Sequence, residues 1–177
     1  NRYAFERDMS RILAAARRNG TQVALMFVDL DGFKRVNDSL GHLAGDQLLR
    51  VVGERLDSNI RSEDIAAKLS DAPNSLVARL GGDEFTVVLQ GLSDFHGAEL
   101  AAQRFLDAIS APMKIVDTEL SIDASIGIAI YPDDATTAGE LLLSADAAMY
   151  EAKKLDGSCF NFSTQALNES VRRQRWL

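Results

Sequence analysis

Two short segments carry side chains whose types and spacing suit work on a charged substrate. The first, Phe27-Val28-Asp29-Leu30-Asp31-Gly32-Phe33-Lys34, sets two carboxylates at the end of an apolar run and follows them at once with a glycine and a lysine. A hard divalent cation takes oxygen ligands, and a magnesium-type ion accepts one or two carboxylates while phosphate and water fill its remaining positions. The second, Gly81-Gly82-Asp83-Glu84-Phe85, puts two acids in a glycine turn. Taken singly, the first reads equally as a solvated acidic loop and the second as a plain tight turn. Taken together they say more: neighbouring antiparallel strands could bring Asp29 and Asp83 to one sheet edge, where two acids repel unless a cation lies between them.

The elements that must position these groups follow from periodicity. Phe5, Met9, Ile12, Leu13 and Ala16 share one face of a helix from Arg2 to Asn19, which closes on Arg17-Arg18-Asn19-Gly20. Gln22 to Asp29 reads as a strand buried on both faces. A short helical stretch reaches about Leu43, and Leu48, Leu49, Val52 and Leu56 mark an amphipathic helix between Asp46 and Ser58. Leu76–Leu80 and Phe85–Leu89 form a hairpin about the glycine turn, and His96 to Ser110 is helical up to Ala111-Pro112. From Leu120 to Ile130 every even position is apolar, the alternation of a strand packed on one face. Thr137-Ala138-Gly139-Glu140 is a capping box opening a helix that ends in Lys153-Lys154, and Cys159 to Phe162 supplies a last strand. The order implies an α+β domain, a central mostly antiparallel sheet flanked by helices.

Composition narrows the partners. Nineteen Lys and Arg against twenty-six Asp and Glu leave a net charge of −7, which offers no basic face to a nucleic acid. The single cysteine, Cys159, excludes an internal disulfide, and no apolar run nears the roughly 20 residues of a membrane span. A cytoplasmic domain without membrane contact of its own is expected. The chain opens on Asn1 and ends in a charged stretch, so both ends read as cuts through a longer protein, which could itself be membrane-anchored.

Ala78-Arg79-Leu80-Gly81-Gly82-Asp83-Glu84-Phe85 resembles the signature of GGDEF domains, the diguanylate cyclase family. Asn1-Arg2 resembles the end of that family's opening motif, Phe27 to Gln47 its nucleotide segment, Ser125 to Ala129 a late strand, and Ala145 to Lys153 its last helix. The resemblance implies a palm-type, ferredoxin-like core over residues 1–162, with 163–177 a connector helix or linker toward a downstream, EAL-type phosphodiesterase domain. It also implies condensation of two GTP into cyclic di-GMP and two pyrophosphates, with Mg²⁺ (or Mn²⁺), in a transient head-to-head homodimer. Carried over by residue, Asp29, Asp83 and the Leu30 carbonyl are metal ligands, and either Asp83 or Glu84 is the proton acceptor. Asn37 and Asp46 read guanine, chemistry that an amide and a carboxylate can do. Lys34 with the Gly32 and Phe33 amides cradles phosphate, alongside Gly81 and Gly82 at the turn, and Lys153 contacts phosphate too. His42 is either close to the ribose or a structural loop histidine.

The sequence departs from the family in two places. Gly157 stands where the family often has an arginine, and Arg61-Ser62-Glu63-Asp64, which has the form of the product-inhibition motif, is separated from the glycine turn by extra residues, roughly 66 to 76. A second class of function also fits intact binding residues: a GTP-binding regulatory module that governs a neighbouring phosphodiesterase. Neither G-x-x-x-x-G-K-[ST] nor a strand-linked G-x-G-x-x-G occurs, which argues against P-loop and Rossmann routes to a nucleotide.

Overall fold

The computed structural model describes residues 2–63, 75–155 and 157–175. Helix α1 (Arg2–Asn19) leads into β1 (Gln22–Asp31), then α2 (Phe33–Leu40) and α3 (His42–Glu63). The hairpin β2 (Ser75–Gly81) and β3 (Glu84–Leu92) is followed by α4 (Phe95–Ser110), the small hairpin β4 (Met113–Ile115) and β5 (Thr118–Leu120), and β6 (Asp123–Tyr131). Helix α5 (Ala138–Lys153), β7 (Cys159–Phe162) and α6 (Gln165–Arg175) complete the order. Five strands make the main sheet in the order β2-β3-β1-β6-β7, antiparallel throughout except for the β6–β7 pair.

Alternation along the central strands divides the core in two. The even residues of β1, Ala24, Met26, Val28 and Leu30, pack with Leu48, Val52 and Leu56 of α3 and with Phe105 and Ile109 of α4. The odd ones, Val23, Leu25 and Phe27, pack with Met9 and Leu13 of α1 and with Leu141 and Ala145 of α5. Burying a Leu or Phe completely contributes about 1.5–3 kcal/mol, so both layers are substantial. Arg55 ties α3 to the end of α4: its Nη1 donates to the carbonyls of Ala108 (2.9 Å) and Ala111 (2.6 Å), and its Nη2 to that of Pro112 (2.9 Å). The first two belong to the end of α4, where carbonyls lack intrahelical partners, and the third lies just beyond it.

Three expectations need correction. The alternating run from Leu120 to Ile130 is not one strand: Thr118–Leu120 turns back on Met113–Ile115 through Val116 and Asp117, both in the left-handed region, and β6 begins only at Asp123. Nor is β6 packed on one face; Ala124 to Tyr131 are all buried, because the small odd residues receive α5. At Gly127 the approach is so close that a Cβ would overlap the backbone of Ala145 and Met149. Finally, the helix expected from Asp46 starts at His42, so Asp46 lies inside it and not at its mouth.

Candidate active site

The acids of both motifs converge where β1 leaves the sheet. Register sets Asp29 opposite Glu84 of β3 on one side and Ser125 of β6 on the other. Asp29 is only 4% exposed, its Oδ2 forms an ion pair with Lys153 at the end of α5, and its Oδ1 is buried without a hydrogen-bond partner. Burial pushes its carboxyl up to about 6, against the Lys153 hydrogen bond and helped by the neighbouring Asp83. Lys153 is held above its ordinary value, first by the hydrogen bond to Asp29. Asp31 accepts from Ser125 Oγ at 3.1 Å, and burial raises its carboxyl as well. Glu84 is raised by burial, then by Asp83 and by Asp146 of α5. Four carboxylates therefore surround one ammonium, at the lip of a sheet where charge is poorly solvated.

The residues expected to meet phosphate and base lie on α2, at the start of α3 and at the β2–β3 turn. Gly32 caps α2 in the left-handed region (φ 80°) with no side-chain cap, so the first-turn amides of Phe33 and Lys34 have no side-chain partner at the positive end of α2, next in the chain to Asp31. Lys34 is exposed on that turn. Asn37 of α2 meets α3 at Gly45, where an added Cβ would overlap its amide oxygen. Asp46, the residue after Gly45 in α3, is exposed. His42, exposed, opens the same helix. Gly81 and Gly82 form the exposed hairpin turn that carries Asp83.

Several expected or unexpected residues fall elsewhere. Arg61 belongs to the last turn of α3, while its side chain and the whole of Asp64 lie outside the described residues, as does Asn1. Gly157, where the family often has an arginine, turns the chain after α5 in the left-handed region (φ 80°), and the next residue, Ser158, donates to Asp123 at 2.9 Å and accepts from the Ala124 amide. The sequence reading missed Gly45, Ser125 and Asp146. Asp146 was detectable from its seven-residue spacing to Lys153, which sets both on one helix face. Gly45 was detectable as a glycine inside a helical run.

Oxygen donors here suit a hard cation. The orphaned Oδ1 of Asp29 and the neighbouring Asp83 carboxylate make a small oxygen set. Among the described residues no group of three or more His, Cys, Asp or Glu has the arrangement of an all-protein metal cage. Such a partial set fits an ion that keeps positions for water and phosphate.

An α+β domain of palm type, with an acidic centre at the exit of its middle strand, is the class that fold and site define. The chain belongs to the GGDEF family of diguanylate cyclase domains: the family model "Diguanylate cyclase, GGDEF domain" matches residues 1–159. It is 38% identical over 174 residues to the bifunctional diguanylate cyclase/cyclic di-GMP phosphodiesterase MucR of Pseudomonas aeruginosa, covering 98% of this chain and 24% of MucR. It is 41% identical over 155 residues to the diguanylate cyclase TpbB of the same organism, covering 87% of this chain and 33% of TpbB. The chain thus spans a quarter to a third of these relatives' lengths. The crystal structure of the TpbB GGDEF domain superposes with a TM-score of 0.82 at 38% identity, covering 93% of this chain and 96% of that one.

Proposed function

We propose that this domain condenses two molecules of GTP into cyclic di-GMP, each held by one of two copies meeting head to head in the cytoplasm. In each half-reaction the 3′-hydroxyl of one GTP attacks the α-phosphorus of the other, a P–O bond forms, and pyrophosphate leaves with the electron pair of the bond that breaks. Glu84 accepts the hydroxyl proton, since burial and two neighbouring acids favour its protonated form. Asp29, Asp83 and the Leu30 carbonyl hold Mg²⁺ or Mn²⁺, which when bound supplies charge stabilisation to the phosphates. Lys34, the Gly32–Lys34 amides and Lys153 hold the phosphate tail, and Asn37 with Asp46 selects guanine.

The observation that carries this reading is the buried, half-unsatisfied carboxylate of Asp29 faced by Asp83 and Lys153. A buried charge arranged this way costs stability and is ordinarily kept where a ligand completes it. The test is incubation with GTP and Mg²⁺ at low and high protein concentration, with chromatographic detection of cyclic di-GMP. Product should rise more steeply than linearly with protein, and Asp83→Ala should lower it at least about a hundredfold. GTP binding without product at any concentration would leave the second reading, a GTP-binding regulatory module for an adjoining phosphodiesterase.

A further inference from the structure

Edge strand β7 grips α5 at two successive turns. Cys159 Sγ donates to the Ala152 carbonyl at 3.0 Å, and Asn161 Nδ2 donates to the Ala148 carbonyl at 3.3 Å. The spacings match: two strand residues advance about 6.6 Å and four helical residues about 6 Å, so strand and helix run antiparallel in step. The upper grip falls on Ala152, next to Lys153, which ends the helix and neutralises Asp29. Final carbonyls of a helix have no intrahelical partner and the last turn frays. Here the Ala152 carbonyl also accepts from the Leu155 amide at 3.1 Å.

The strand is itself anchored from behind. Asn168 of α6 accepts from the Phe162 amide at 2.7 Å and donates to the Phe162 carbonyl at 2.8 Å, pairing β7 as a neighbouring strand would. Phe162 is 1% exposed and sits in the core shared with α4. By contrast the Lys153 side chain is 39% exposed and long, so its ammonium reaches the surrounding carboxylates from wherever the helix end places it.

We propose that Asn161 is a positioning residue for Lys153: by tying α5 to the edge strand at Ala148, below the Cys159 grip on Ala152, it helps set the reach of the Lys153 ammonium over Asp29 and over the phosphates of bound nucleotide. The second half of this rests on the cyclase reading, and the first does not. Asn161→Ala should raise the KM for GTP about five- to tenfold with kcat changed less than about twofold, and should add almost nothing in a Lys153→Ala background. Asn161→Gln, which retains an amide donor, should stay within about twofold of wild type in KM. A loss of equal size in both backgrounds, or one confined to kcat, would overturn the proposal. A parallel arm needs no nucleotide: urea denaturation of the Asp29→Asn and Lys153→Met double-mutant cycle measures the coupling of that ion pair. The coupling should fall to less than about half when Asn161 is Ala, and an unchanged coupling would also overturn the proposal. If the wild type neither binds nor turns over GTP, the cyclase reading falls while the stability cycle still decides the positioning.

Discussion

The two ends of β6 treat their acids in opposite ways. Beside its start, Asp29 is buried with one oxygen unpartnered, and Asp31, Asp83 and Glu84 crowd a single ammonium. Beyond its far end, Asp134 is fully engaged: Oδ2 accepts from the Ile130 amide at 2.7 Å, its own amide donates to the Ile130 carbonyl at 2.7 Å, and Oδ1 accepts from the Thr164 hydroxyl at the start of α6. Buried polar groups are ordinarily satisfied within the protein. One end of the strand therefore holds the fold together, and the other leaves a buried carboxylate oxygen without a partner.

Breaking the far end should have the largest effect on stability. Asp134→Ala strands the Ile130 amide and the Thr164 hydroxyl, and should cost roughly 2–3 kcal/mol in urea denaturation while leaving kcat/KM at low temperature within about twofold. Loss of activity without loss of stability would dissolve the contrast between the ends.

Relieving the near end should do the reverse. The Asp29 carboxyl lies at about 6 in the folded protein against an ordinary 3.8, so the fold holds that proton more tightly than the unfolded chain does. The stability this contributes is present in full below the ordinary value and is lost as pH rises through 6. Asp29→Asn has no such loss. In metal-free buffer the wild type should therefore lose on the order of 1–3 kcal/mol relative to the variant between about pH 4 and pH 7, read as diverging melting temperatures. Parallel curves for the two proteins would mean that Lys153 already satisfies Asp29.

The smallest change sharpens the base side of the site. A methyl at Gly45 must displace the Asn37 amide and press on the Phe33 ring, so Gly45→Ala should lower the melting temperature only modestly, by about 1 kcal/mol or less of stability. Recognition should suffer, with the KM for GTP rising about tenfold. An unchanged KM would remove Asn37 from the guanine contact.

Much of this arrangement was legible in particular residues. Thr137 and Glu140 announced the start of α5, and the Glu140 amide indeed donates to Thr137 Oγ1 at 3.3 Å. The apolar run from Gln22 became a strand buried on both sides, extended by two residues to Asp31. The β4–β5 hairpin escaped because its turn uses Val116 and Asp117 in left-handed conformations, with no glycine to mark it. The second buried face of β6 escaped because small residues such as Ser125 and Gly127 read as exposed until α5 is seen to lie on them.

By itself the sequence determined most of the elements and marked the two acid pairs as candidates for one edge, because helical and strand periodicity and capping are local properties of the chain. Tertiary structure alone decided that Lys153 neutralises Asp29, that Ser125 holds Asp31, that Gly45 lets Asn37 meet α3 beside Asp46, and that β7 fixes the end of α5. Each of these joins residues far apart in the chain, where no local pattern carries the pairing and only packing of sheet and helix surfaces selects it.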